Sequence, residues 1–128
     1  MTQHWTLEQA TAALPEVRAT LRRIRALVAA ARAHAAEHGG SGAAAVSGNG
    51  HGPKVRADDR ELRALLAELD ARGVIVRDPG RGLIDFPALA PSGRTYLLCY
   101  LEGEDAIEWW HWPEDGFAGR TPLTDPPQ

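Results

Sequence analysis

A chain of 128 residues, 44% hydrophobic and 24% charged, falls in the size range of one domain with a single modest core and excludes fibrous and wholly disordered classes. Its formal charge of −3 offers no general attraction to phosphate backbones or anionic lipid, so nucleic acid is not expected as a partner without a local basic patch. The single cysteine, Cys99, precludes an intramolecular disulfide and a Cys-rich zinc site; with no apolar run near the ~20 residues of a membrane span and no leader-like N-terminus, no membrane and a cytoplasmic location are expected.

Thr6-Leu7-Glu8-Gln9 has the form of a capping box, and a helix is predicted over about 6–38. Leu7, Ala10, Leu14, Val17, Leu21, Ile24, Val28 and Ala31 recur at alternating steps of three and four, which places one apolar stripe along a single face. Pro15 removes one helical hydrogen bond within that stripe, so either a kink or a short first helix followed by a long one from near Pro15 is expected, and the unbroken phase of the stripe favours the kink. Arg18, Arg22, Arg23, Arg25 and Arg32 make this helix the one basic element. Such a charge run is usually a solvated face. It also offers two routes to a homodimer, through the helix itself or against the acidic block of a second copy.

Residues 39–52, GGSGAAAVSGNGHG, hold six glycines and no charge, the composition of a flexible linker. Helical pattern resumes over about 53–72, with Val55, Leu62, Leu65, Leu66 and Leu69 on one side and Gly73 as its stop. The period then changes. GVIVRD, GLIDFP, RTYLLCYL and AIEWWHW are short, β-branched and aromatic, and separated by PGRG, APSG and EGED turns. The expectation is a single α+β domain over 1–128: an antiparallel helical hairpin packed on a small antiparallel β-meander of three to four strands over about 74–112, then a loop and tail over 113–128. A tight hairpin at EGED would set Tyr96 opposite His111 and Cys99 opposite Glu108, and a one-residue slip would exchange every face.

The stretches TLEQATAALPEV, GRGLIDFPAL, YLLCYLEGE and WWHWPEDGFAGRTPL together resemble the family of uncharacterised bacterial proteins called domain of unknown function 2203. The resemblance implies a small cytoplasmic protein with helices first and strands after, and carries no established activity or cofactor. In that pattern an acidic residue often follows the histidine and a tryptophan the cysteine, where this chain has Trp112 and Tyr100. The first departure weakens a metal site that needs that carboxylate.

The C-terminal block concentrates the candidate chemistry. Glu102, Glu104, Asp105, Glu108, Glu114 and Asp115 have no Lys or Arg between them, a clustering that raises carboxylate pKa values or invites a cation, or is simply solvated in a turn. His111 with Glu108, Glu114 and Asp85 would form a divalent metal site; one imidazole among oxygen ligands suits manganese or iron better than structural zinc. Glu108 and His111 lie three apart, so a regular strand puts them on opposite faces and only a bulge or strand end joins them. His111 could instead be a half-buried histidine bonded to Tyr96 or a backbone carbonyl.

Trp109, Trp110 and Trp112 must occupy both faces of a strand; Trp110 and Trp112 are the candidate contacts for a protein partner. Asp85, between Ile84 and Phe86, must be exposed, paired or functional, and Arg81 and Arg120 are its candidate partners. The glycines around those two arginines could form an anion-binding concavity, although neither stretch is a phosphate-loop motif. No nucleophilic triad is legible, because Ser41 and Ser47 lie in the linker, Ser92 in a turn, and Cys99 in an apolar strand where a thiol is normally inert. Two functions follow. One is a binding or interaction module using the aromatic and acidic C-terminal block; the other is a metal-binding protein or metal-dependent enzyme, with manganese, iron or zinc at His111 and nearby carboxylates.

Overall fold

The computed structural model describes residues 3–38 and 52–128, and the predicted linker lies, but for Gly52, outside the described residues. Two helices come first, α1 over Leu7–His38 and α2 over Pro53–Ala71. The capping box forms as its residue types require: Gln9 N donates to Thr6 Oγ1 at 3.0 Å and Thr6 N to Gln9 Oε1 at 3.1 Å. α1 runs uninterrupted through Pro15. At the far end of α2, Val74 N donates to Leu69 O at 3.0 Å and Gly73 N to Asp70 O at 2.9 Å, while Gly73 takes φ +81°. That is a Schellman stop, sealed by the buried pair Leu69 and Val74.

Five strands follow in sequence order, each antiparallel to the last: β1 Ile75–Asp78, β2 Leu83–Leu89, β3 Thr95–Leu101, β4 Trp109–His111 and β5 Thr121–Pro122. The fifth strand corrects the expected three to four. It arises in the segment read as loop and tail, where Thr121 pairs with Trp110 and Leu123 N donates to Glu108 O at 2.9 Å. A short 3-10 turn, Phe117–Gly119, precedes it.

Register is the second correction. Leu97, not Tyr96, stands opposite His111, and Trp109, not Glu108, stands opposite Cys99. The physical reason is the connection: β3 ends at Leu101 and β4 begins at Trp109, so EGED is part of a longer loop rather than a tight hairpin. Glu104 N and its side-chain Oε1 both fold back on Leu101 within that loop. The one-residue offset exchanges faces, and it brings His111 to the side that Cys99 and Asp85 share.

On the inner face Ile84, Phe86, Ala88, Leu98 and Tyr100 meet Ala10, Leu14, Val17, Leu21 and Ile24 of α1, with Trp5 standing edge-on to Phe86 at 5.2 Å. Burial of this seam, at roughly 25 cal/mol per Å2 of apolar surface, is the main source of stability. On the outer face Pro113, Gly116 and Phe117, from the chain after β4, lie over Leu83, Asp85, Cys99 and His111.

The basic side of α1 is solvent-exposed, as expected, and also pairs within the same chain. Arg22 Nε and Arg25 Nη1 each reach Glu102 at 2.7 Å, Arg23 pairs with Glu61 on α2 at 2.7 Å, and Arg18 Nε donates to the Tyr100 hydroxyl at 3.0 Å. The Arg22 hydrogen bond, with help from Arg25, holds the Glu102 carboxyl below the usual carboxylate range.

Gly82 sits where this helix meets the β1–β2 turn, at φ +75°, and a Cβ there would lie 2.7 Å from Glu102 Cβ and 2.8 Å from Arg25 Cδ. Gly82→Ala should therefore destabilise the fold by about 1–3 kcal/mol. Gly52→Ala, with φ −71° and nothing within 4 Å, should stay within about 0.5 kcal/mol. Denaturant midpoints of the two variants test this, and equal midpoints would contradict the close approach.

Candidate metal centre

Three adjacent strands place one polar side chain each on the outer face: Asp85 from β2, Cys99 from β3 and His111 from β4. Asp85 and His111 are the buried polar residues of the described chain, at 0% and 3% exposure, and Cys99 is buried beside them. One ligand atom from each of the three lies within 4.8 Å of the other two.

His111 Nδ1 is 2.7 Å from the Trp112 carbonyl, and Nε2 is 3.1 Å from both carboxylate oxygens of Asp85. A carbonyl only accepts, so Nδ1 carries a proton and donates it. Nε2 then faces a carboxylate, an arrangement satisfied by one proton held between them, on ring or carboxyl, or by a shared cation. Arg77 Nε donates to Asp85 Oδ2 at 2.8 Å from the sheet edge. Burial, and then the charge of Asp85, push the Cys99 thiol up to about 12. Nearby Arg120 pulls the other way and does not prevail.

This geometry does not make a nucleophilic triad. Neither ring nitrogen of His111 is turned to the thiol as a base, and the thiol neighbours a negative charge that disfavours thiolate. Imidazole nitrogen, thiolate sulfur and carboxylate oxygen are, by contrast, all ligands of transition ions. Two atoms each about 2.0–2.2 Å from one ion stand roughly 3–3.5 Å apart, and the Nε2–carboxylate separation of 3.1 Å is in that range. A histidine that ligates through one nitrogen and donates its other N–H to a carbonyl has the orientation usual in metal sites. Beside the cluster lies a cavity of about 190 Å3, walled by Leu83, Pro113, Gly116 and Phe117 and by Arg77.

Of the four residues expected as ligands, the structure joins Asp85 and His111. Glu108 is exposed just before β4, in the alternation that sets it off from His111, and Glu114 is 59% exposed in an ion pair with Arg94. Cys99 takes a place that spacing alone did not offer it. A signal existed: the APSG turn fixes the β2–β3 pairing, and counting back from it aligns Cys99 with Asp85.

The expected partners of Asp85 also change. Arg77 holds the carboxylate, whereas Arg120 pairs with Glu104 at 2.9 Å and lies between the rings of Trp109 and Phe117, 4.7 and 4.3 Å from their centroids. Arg81 covers Phe117 at 5.0 Å. Both arginines thus hold down the segment that roofs the cavity.

Trp110 is buried, donates Nε1–H to Asp125 O at 2.9 Å and stands edge-on to Tyr96 and Trp112. Trp112 is half-buried under Arg94 at 3.9 Å. Half of the acidic cluster is matched internally, with Glu102, Glu104 and Glu114 each paired to arginine.

Fold and site define an α+β protein with a buried Asp–Cys–His cluster on the outer face of a meander. A family model described as an uncharacterized conserved protein, domain of unknown function 2203, matches residues 3–123, and the chain belongs to that family. No curated protein and no solved structure matches it. Among the described residues no helix is long and apolar enough to cross a membrane.

In metal-free protein the raised thiol gives a pH dependence of definite sign. An unfolded cysteine ionises near about 8.5, and the native one near about 12. The contribution is fully present below the unfolded value and is lost as pH rises through the native one. Unfolding free energy should therefore fall across that alkaline window, and Cys99→Ala should flatten the dependence. Urea melts of both proteins at stepped pH check this, and parallel curves would oppose it.

Proposed function

We propose that the protein is a metal-binding protein in which Asp85, Cys99 and His111 hold one divalent transition ion. The observation that carries this reading is the convergence of three buried ligand atoms, within 4.8 Å of one another, on three neighbouring strands. A thiolate ligand favours zinc or ferrous iron over manganese. Three protein ligands beside an open cavity resemble catalytic rather than structural ions, which are closed by a fourth side chain. Such an ion would act as a Lewis acid and lower the pKa of a bound water, and a metal-dependent enzyme is the activity this favours. Binding would deprotonate the thiol, so affinity should rise with pH.

A second reading, docking of a protein partner or of a second copy, draws support from a different place. An open groove of about 410 Å3 runs between Leu7, Ile107, Trp109 and Leu123, with Leu7 40% exposed. Trp109, rather than the buried Trp110, is the tryptophan that such a partner would meet.

Elemental analysis of protein purified without an affinity tag or chelator tests the first reading. Near one zinc or iron per chain is expected, lost in His111→Ala and Cys99→Ala, and cobalt-loaded protein should show sulfur-to-metal charge-transfer absorption that Cys99→Ala removes. A wild-type chain that stays metal-free after reloading with zinc, ferrous iron and manganese would sink the proposal.

A further inference from the structure

Arg77 is the charged group at the cavity whose donors are least used. A guanidinium carries five N–H donors in a planar fork. Among the described residues only its Nε has a partner, Asp85 Oδ2, and the side chain is 45% exposed while lining the cavity. Other arginines of the fold have carboxylates of their own: Arg23 takes Glu61, Arg94 takes Glu114 and Arg120 takes Glu104. Arg77 instead shares Asp85 with His111 and with the neighbouring thiol.

The charge balance then points outward. A divalent ion is neutralised by the Asp85 carboxylate and the Cys99 thiolate, which leaves the half-exposed Arg77 as the net positive charge at the edge of the cavity. Around it the wall is apolar, formed by Leu83, Pro113 and Phe117. Cavity size limits the occupant as well. An apolar cavity of about 150 Å3 accommodates benzene, and this one measures about 190 Å3.

We propose that this cavity binds a small monocarboxylic acid with a compact apolar body, its carboxylate on the free N–H groups of Arg77 and its body against Leu83, Pro113 and Phe117. The assignment rests on the metal reading for its charge balance. A fork of parallel donors matches a carboxylate in geometry as well as charge. Phosphate esters fit less well, since a dianion exceeds the single uncompensated charge and its polar oxygens would face apolar wall.

Calorimetric titration of benzoate and of its neutral isostere benzamide into zinc-loaded protein, with zinc measured in the same samples, tests the assignment. Benzoate should saturate at one per chain and benzamide should bind about tenfold more weakly or worse, as expected when a charge-assisted pair is lost. Arg77→Gln should keep its zinc and lose that preference. Leu83→Trp, which takes up cavity space and replaces no ligand residue, should keep zinc and exclude both compounds. Equal binding of the two compounds, an unchanged preference in zinc-bearing Arg77→Gln, or no benzoate binding to zinc-bearing wild type would overturn the proposal.

Wild type that takes up no zinc defeats the metal reading separately. In that case benzoate binding to the metal-free chain, blocked by Leu83→Trp, upholds the carboxylate site, and its absence overturns that too.

Discussion

The outer face of the sheet is organised by one constraint, that a carboxylate taken out of water must be matched. Asp85 is fully buried between strands, where an unpaired charge costs several kcal/mol even after relaxation. Arg77 from β1 and His111 from β4 supply the match, from either side of the strand pair that carries Asp85 and Cys99. That demand ties the first strand of the meander to the fourth. It also explains why β4, only three residues long, has a defined register: a slip would remove His111 from the carboxylate and expose the pair.

The inner face answers a different demand. There apolar side chains of α1 and the sheet interlock, and polar contacts gather at the rim, where Arg18 reaches the Tyr100 hydroxyl and Arg22 and Arg25 share Glu102. These ion pairs are partly exposed and contribute modestly, about 0–1 kcal/mol each, so their role is orientation more than stability. They set the loop after β3 against the helix. From that loop Glu104 extends to Arg120, and Arg120 in turn stacks on Phe117 above the cavity. Part of the basic helix and one residue of the acidic block, Arg22 and Arg25 with Glu102, thus pair within one chain.

Much of the frame is legible in the residues. The capping box at Thr6, the stop at Gly73 and the strand-length apolar runs each rest on local chemistry, and local chemistry decided them. The family resemblance spans the same ground, since the family model covers residues 3–123. Long-range pairing was harder to read. EGED looks like a tight hairpin turn, yet the loop closes through Glu104 onto Leu101 and delays β4, and that offset relocates His111. β5 escaped notice because two residues carry no periodicity; they are held by a neighbour rather than by propensity. Asp85 and His111 stood out as polar residues in apolar runs. Cys99 did not, because a buried cysteine reads as a small hydrophobe until its neighbours are known.

Neighbouring strands lie about 4.7–4.9 Å apart, so side chains on β2 and β4 must lean towards each other across β3 to touch. Asp85 and His111 do so, meeting at 3.1 Å above the strand between them. On that middle strand Cys99, directly opposite Asp85, is short and leaves headroom for the meeting. The cluster therefore carries its shortest arm on the middle of three consecutive strands, like a shallow vault with a low keystone. Histidine and cysteine exchanged between β3 and β4 would retain the composition of the set and lose its shape. What distinguishes this sheet is thus the order of reach across it, a property of the strands taken together that no single residue carries.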